Sequence, residues 1–388
     1  MPVLPGNNAS TRATARALLQ LGVAGTVGVT SLAEAVHQAV LATTPIPWRP
    51  HGPVLRALTS AAYSGVRSVV GAVGRGGDSL LRGADDAASG AGARRRSDDL
   101  LLPLAWQSIL NGLIGDRLAA LGNAVALPMS IQPHREHRSR AHRRDAAGTR
   151  VLFIHGLCMN DQQWQAPADD GEDFGARLVR DAGYRPLYLR YNSGLPIAES
   201  GALLADLLES RHSGRHAWRE PWHVVAHSMG GLLIRSAMAQ GMAKGHRWPE
   251  HLHHLVFLGT PHHGAPLERL GTMVDAVLAL NRFSSPWKAL GGIRSVAIQQ
   301  LGRAKVDAWV SRPKRLQMHA VAGTLESASG RTLPKLLGDG LVPVDSALWH
   351  REDASAGAVA TRRVFPGVGH LSLIRHPEVA DHIVSVIA

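Results

Sequence analysis

Ser228 lies in the stretch VVAHSMGGLL (residues 224–233), with small residues two positions before it (Ala226) and two positions after it (Gly230). A serine on a sharp turn between a strand and a helix has its hydroxyl thrust above the edge of the sheet. The helix N-terminus behind it favours developing negative charge. That setting suits nucleophilic attack on an acyl carbonyl. By itself, small-x-Ser-x-Gly also describes an ordinary turn or an N-cap serine, so Ser228 is judged by its partners.

A serine at its free pKa is a weak nucleophile and needs a base, with a carboxylate to orient that base. The chain has twenty-one histidines, and position singles out one of them. His370, in PGVGHLSL, comes just beyond the last strand-like run TRRVF and before the closing helical pattern HPEVADHIVSVI. The acid is expected after the preceding strand, QMHAVAGT (317–324), whose following loop contains GDGLVPVDS. Asp339 is taken as the acid because it comes first and is flanked by glycines; Asp345 is its rival. The order Ser, Asp, His is the one this architecture uses. A tetrahedral oxyanion also needs backbone donors. Gly156, in VLFIHGLCMN, allows a tight turn that would aim the amide of Leu157 at the site, and the amide of Met229 follows the nucleophile. His155 and Gly156 are counted among the substrate-contacting positions. Cys158 adjoins this turn, but no base-bearing motif accompanies it as a nucleophile.

These residues need a scaffold, and from residue 148 the chain alternates apolar runs with helical-length segments. RVLFIH, PLYLRY, WHVVAH, HLVFLG, QMHAVAG and TRRVFPG are short and continuously apolar. Such runs separated by helices predict a mostly parallel sheet with both faces covered, whose chemistry sits beyond the carboxyl ends of the strands. VALPMSI predicts one more strand, half-buried. The basic run HREHRSRAHRRD (134–145) reads as a solvated linker, with contact to anionic lipid as the alternative.

With these elements, HGLC, AHSMGG, LGTPHHGAP and GDGLVPVDS, in that order, resemble motifs of the α/β-hydrolase superfamily over roughly residues 125–388. Within it, the likeness is to bacterial lipases and esterases and to the GPI-inositol-deacylase-like hydrolases. The resemblance implies a carboxylic-ester hydrolase acting on a hydrophobic acyl ester through an acyl-enzyme, with Ser228, Asp339 and His370 as triad and Leu157 and Met229 as oxyanion donors. A thioesterase, an amidase or a non-catalytic binding protein on the same fold are the alternatives. Calcium-binding lipases of this kind often carry Asp two positions after the histidine; Ser372 stands there, so no metal or other cofactor is expected.

The fold expected is therefore α/β: an α/β-hydrolase domain over 125–388, and an N-terminal all-helical extension over 1–124. A cap insertion, 265–312, is placed after the sixth strand. Its apolar positions, Leu270, Met273, Val274, Val277 and Leu278, recur at helical spacing and lead to Phe283 and Trp287. Val277, Leu278 and Phe283 are read as part of a pocket wall, together with Thr260 and His262 of GTPHHG. His262 and His263 lack a third ligand at metal spacing.

The net charge of +12 accompanies a habit of using arginine, since no lysine precedes Lys244. No nucleic-acid-binding signature accompanies it, so the partner expected is a small-molecule or lipid ester and not nucleic acid. The oligomeric state is left open. One cysteine, Cys158, excludes an intrachain disulfide and fits a reducing compartment. ALLQLGVAGTVGV after Arg12 and Arg16 is too short and polar to span a bilayer. A helical stripe (Leu32, Ala35, Val36, Ala39, Val40) runs through the small-x-small site that a secretory signal would use. Cytoplasmic residence, with peripheral membrane contact through the N-terminal helices or the basic linker, is expected; export through a weak signal is the alternative.

Overall fold

The computed structural model describes residues 103–135, 148–168, 170–212, 221–264, 295–301, 313–326, 338–349 and 359–387, with isolated positions before residue 76. The chain forms two compact units, Met1–Pro103 with Ala120–Val125, and Leu104–Ala119 with Ala126–Ala388. The signal-like segment and most of the N-terminal region lie outside the described residues.

Seven strands form one sheet in the second unit: β1 (Ser130–Pro133), β2 (Arg150–Ile154), β3 (Arg185–Arg190), β4 (Trp222–His227), β5 (Leu252–Leu258), β6 (Gln317–Thr324) and β7 (Thr361–Pro366). Their spatial order is β1-β3-β2-β4-β5-β6-β7, with only the β1–β3 pair antiparallel. Successive side chains in a strand point to opposite faces, so a run that is apolar throughout must be covered on both. In β4, Trp222, Val224 and Ala226 enter one core and Val225 the other, and all six strand residues are buried. Helices α1 (Leu104–Ala120), α3 (Ile197–His212), α4 (Met229–Ala243), α5 (Val296–Leu301) and α6 (Val344–Ala347) supply the first core; α2 (Phe174–Ala182) and α7 (Pro377–Ile387) supply the second. Each fully buried Leu, Ile, Val or Phe contributes roughly 1.5–3 kcal/mol, so this double-sided burial dominates the stability of the sheet.

Three expectations shift. VALPMSI is not a strand over its length, because Pro128 has no amide and two others are already taken. The amide of Val125 donates to Asn123 Oδ1 and that of Leu127 to Asn111 Oδ1, each at 2.9 Å, and the ladder starts only at Ser130. The basic run 134–145 is not solvated at its start. His134 is buried with Nε2 3.3 Å from Asp173, and the Arg135 amide donates to Gln165 Oε1 at 2.8 Å. The segment 265–312 leaves β5, the fifth described strand rather than a sixth, and its far end belongs to the core, since Ala297, Ile298 and Leu301 of α5 are buried. Val277, Leu278, Phe283 and Trp287 lie outside the described residues.

Helix α1 was assigned from sequence to the extension 1–124, yet Leu104–Ala119 lies in the unit that carries the sheet. Its glycines explain how. A Cβ on Gly112 would overlap Cys158 Sγ and one on Gly115 would overlap the Asn192 side chain, while Ser295 Oγ donates to the Gly112 carbonyl at 2.7 Å. This helix braces the loop behind the Leu157 turn. No helix among the described residues is long and apolar enough to cross a membrane.

A row of histidines crosses the N-terminal half of the sheet, away from the carboxyl-end loops. The rings of His223 (β4) and His254 (β5) are 4.9 Å apart, His254 Nδ1 is 3.1 Å from His319 Nε2 (β6), and His319 Nδ1 meets Thr361 Oγ1 at 2.9 Å. Burial, then neighbouring histidines, lowers His223 to about 3 and His319 to about 4. Their folded pKa values lie below the unfolded value near 6.5, so the unfolded chain binds the extra protons. The stabilisation is complete above about pH 6.5 and is lost as pH falls towards 4 and 3. Each group so held costs at most about 1.4 kcal/mol per pH unit within that window. Thermal unfolding followed between pH 7.5 and 4.5 should show Tm falling by several degrees below pH 6.5. In a His319→Gln variant the fall should be shallower; an equal fall would assign the acid sensitivity elsewhere.

Candidate active site

Ser228 joins β4 to α4 with φ 55° and ψ −127°, a conformation that L-residues seldom adopt and that costs on the order of 1–3 kcal/mol. Two contacts hold the turn. The Ser228 amide donates to the Leu258 carbonyl at 2.9 Å, and the Gly231 amide donates to the Ser228 carbonyl at 3.0 Å. The glycine after the serine is dictated by space: a Cβ on Gly230 would stand 2.7 Å from the His155 carbonyl oxygen and 2.8 Å from that of Ile154. Ala226 takes the first small position inside a fully buried strand.

The Leu157 turn presses directly on this serine, since a Cβ on Gly156 would lie 3.0 Å from Ser228 Cβ. Among the described residues neither the Leu157 amide nor the Met229 amide donates a hydrogen bond within the protein. Met229 opens α4, where intrahelical bonds do not reach its N–H. His155 fixes the turn: its ring stacks on Tyr191 at 4.4 Å, its Nδ1 lies 2.9 Å from the Gly156 carbonyl, and Tyr191 Oη donates to the His155 carbonyl at 2.8 Å. Burial lowers His155 to about 4, leaving it neutral at pH 7.

Asp339 and His370 come together as the sequence suggested. His370 Nδ1 is 2.7 Å from Asp339 Oδ2, and the His370 amide donates to the Asp339 carbonyl at 3.0 Å. The other carboxylate oxygen accepts from the amides of Leu341 (3.0 Å) and Val342 (2.8 Å). Gly338 and Gly340 both have positive φ, and a Cβ on Gly338 would overlap the Val342 carbonyl, so the flanking glycines are what allow this reversal. With the Nδ1 proton directed at Asp339, His370 Nε2 carries the lone pair; it is buried with no hydrogen-bond partner among the described residues. Asp345 is exposed on α6, and no hydrogen bond joins it to His370 among the described residues.

Cys158 and GTPHHG take other parts. Burial pushes the Cys158 thiol up to about 12, so it is not a thiolate near neutral pH. Thr260 is fully buried against α4, where a Cβ on Gly231 would overlap its hydroxyl. His262 stacks on Trp349 at 4.3 Å, meets the Phe257 edge at 4.6 Å and lies 3.2 Å from Arg235 Nη1, with the Arg235 guanidinium 4.2 Å above the Trp349 ring. Burial, then that cation, holds His262 well below its usual range. No hydrogen bond or ring contact joins His262 to Ser228, Asp339 or His370 among the described residues, so these contacts make it packing between α4 and the turn after α6. No cluster of three or more metal-ligating side chains occurs among the described residues.

Two residues have no role assigned from the sequence. Gly259 ends β5 with φ 57°, and a Cβ there would stand 2.9 Å from Asp339 Oδ2 and 3.1 Å from His370 Nδ1. His227, next to Ser228, donates from Nε2 to the His370 carbonyl at 3.0 Å. Its adjacency to Ser228 was the available signal.

Over residues 204–314 the chain matches the family model described as the PGAP1-like alpha/beta domain. Among solved structures it is similar to the mature lipase of Bacillus licheniformis (20% identity, TM-score 0.42, 66% of this chain and 98% of that one). It is also similar to a soluble variant of the monoglyceride lipase of Saccharomyces cerevisiae (12% identity, TM-score 0.40, 67% and 89%) and to an esterase of Pyrococcus furiosus (11% identity, TM-score 0.40, 62% and 80%). A comparison with curated proteins found no match. The order and direction of the strands, with the strained serine turn between β4 and α4, give the chain an α/β-hydrolase fold, and the PGAP1-like match falls within it, from α3 to the segment after β5.

Proposed function

We propose that the protein is a serine hydrolase that cleaves carboxylic esters with a hydrophobic acyl group. One observation carries this: a buried His370, bound to Asp339 at 2.7 Å through Nδ1, keeps an unpartnered Nε2 at the same sheet edge as the strained Ser228. In the first half-reaction Ser228 Oγ attacks the acyl carbonyl and His370 Nε2 takes its proton, while Asp339 stabilises the imidazolium. The amides of Leu157 and Met229 receive the oxyanion. The imidazolium then gives its proton to the departing alkoxide, leaving an acyl-serine. Water, deprotonated by the same nitrogen, attacks the acyl-serine; the proton returns to Ser228 Oγ as the carboxylic acid leaves.

Thioesters and amides would be cleaved by the same steps, and a set of matched acyl ester, thioester and amide substrates separates the three; turnover of the thioester or amide alone would overturn the ester assignment. The acyl-binding wall is assigned to the part of the 265–312 segment before α5, residues 265–294, because about thirty residues are still too many for a plain loop. Each methylene buried there contributes roughly 0.8 kcal/mol, about fourfold in kcat/KM, until the site is filled. Across chromogenic esters of increasing acyl length, kcat/KM should climb for the wild type. It should flatten when Val277 and Leu278 are replaced by Ser, with acetyl esters nearly unaffected. Equal loss on short and long esters would make the segment a structural support.

A further inference from the structure

We propose that His227 is a positioning residue that sets the spacing between the nucleophile and its base, which rests on the serine-hydrolase reading above. His227 is the last residue of β4, directly before Ser228, and is fully buried. Its Nε2 lies 3.0 Å from the His370 carbonyl oxygen, and a carbonyl only accepts, so the imidazole proton sits on Nε2. The two rings stand 4.7 Å apart at 47°. His370 is otherwise tied to Asp339, by its amide and by Nδ1. Those bonds orient the base towards its acid but do not hold it to the nucleophile. The His227 bond does, because it fastens the His370 backbone to the residue adjoining Ser228.

The chemistry also asks for a neutral donor at this position. During acyl transfer His370 becomes an imidazolium, and a second cation one ring away would oppose that step. A lysine or arginine would supply the donor together with a charge. His227 supplies it without one: burial first, then His370 itself, keeps it well below its usual range. The deprotonated Nδ1 is buried with no hydrogen-bond partner among the described residues, and it faces the oxyanion turn, where a Cβ on Gly156 would lie 3.3 Å away.

Phenylalanine keeps the ring and removes the donor, whereas glutamine keeps an N–H at about the distance of Nε2. With a butyryl ester, His227→Phe should lower kcat by about 100-fold, the usual penalty for a misplacement near 1 Å, with KM within about twofold. Fluorophosphonate labelling of Ser228 in the folded protein should slow in parallel. His227→Gln should recover kcat to within about fivefold of wild type, whatever its Tm. Wild-type kcat and labelling rate in His227→Phe would overturn the proposal, as would His227→Gln being as slow as Phe. Should the Phe variant not fold, the Gln variant decides by the same fivefold and 100-fold marks. A wild-type protein that neither turns over esters nor labels at Ser228 would instead remove the serine-hydrolase reading itself.

Discussion

Ser228→Ala should lower kcat for any ester the protein cleaves by on the order of 10⁶-fold, leaving KM nearly unchanged and a fluorophosphonate adduct absent from the peptide. The expectation is large because the serine's role has no substitute at the site. Cys158 adjoins the same turn, but its thiol is buried and pushed up to about 12, so it offers no thiolate. What survives the substitution is the pair of unused amides at Leu157 and Met229, which still polarise a bound carbonyl and leave a small rate above water. Folding should be intact, because alanine keeps the Cβ that the 55° φ already accommodates and Ser228 makes no side-chain cap bond to α4. Equal Tm values with a lost adduct would place the defect in chemistry. Full activity and undiminished labelling in the alanine variant would remove Ser228 from the reaction.

The parts of this arrangement that were legible in the sequence are those that a short stretch encodes by itself. Continuous apolar runs such as WHVVAH need cover on two faces, and β4 has it. Gly230 marks the Ser228 turn because backbone atoms of 154 and 155 leave no room there for a side chain. Asp339 was favoured over Asp345 because glycines on both sides permit a reversal, and both have positive φ. What was not legible depends on partners distant in the chain. His262 looked like pocket wall, but Arg235 on α4 and Trp349 in the turn after α6 enclose it. His134 looked solvated in a basic run until Asp173 is brought beside it. Helix α1 belongs with the unit that carries the sheet because Gly112 and Gly115 admit Cys158 and Asn192, contacts that no local pattern announces. Gly259 and His227 matter through what they touch in the loop around His370, more than a hundred positions away in sequence.

Asp339→Asn should cut kcat on the order of 10⁴-fold, and Asp345→Asn should leave it within about twofold. The difference follows from where each carboxylate sits. Asp339 Oδ1 accepts from the amides of Leu341 and Val342, so in an asparagine that position must remain the carbonyl oxygen. The NH₂ group is then forced towards His370 Nδ1, at the 2.7 Å position the carboxylate oxygen now holds. Two donors cannot share that contact, so the imidazole proton moves to Nε2, the nitrogen that must accept from Ser228. The base is lost while the shape of the site is kept, and no negative charge remains to stabilise the imidazolium. Asp345 is exposed in the first turn of α6 and makes no hydrogen bond to His370 among the described residues, so its neutralisation leaves the orientation of the imidazole unchanged. Labelling of Ser228 by a fluorophosphonate should slow in the Asp339 variant, since the probe also needs an activated serine, while its KM for the ester stays close to wild type. If Asp345→Asn were the slow variant and Asp339→Asn the fast one, the acid would have to reach His370 by a rearrangement of residues 338–345, and the hydrogen-bond pattern described for Asp339 would not be the catalytic one.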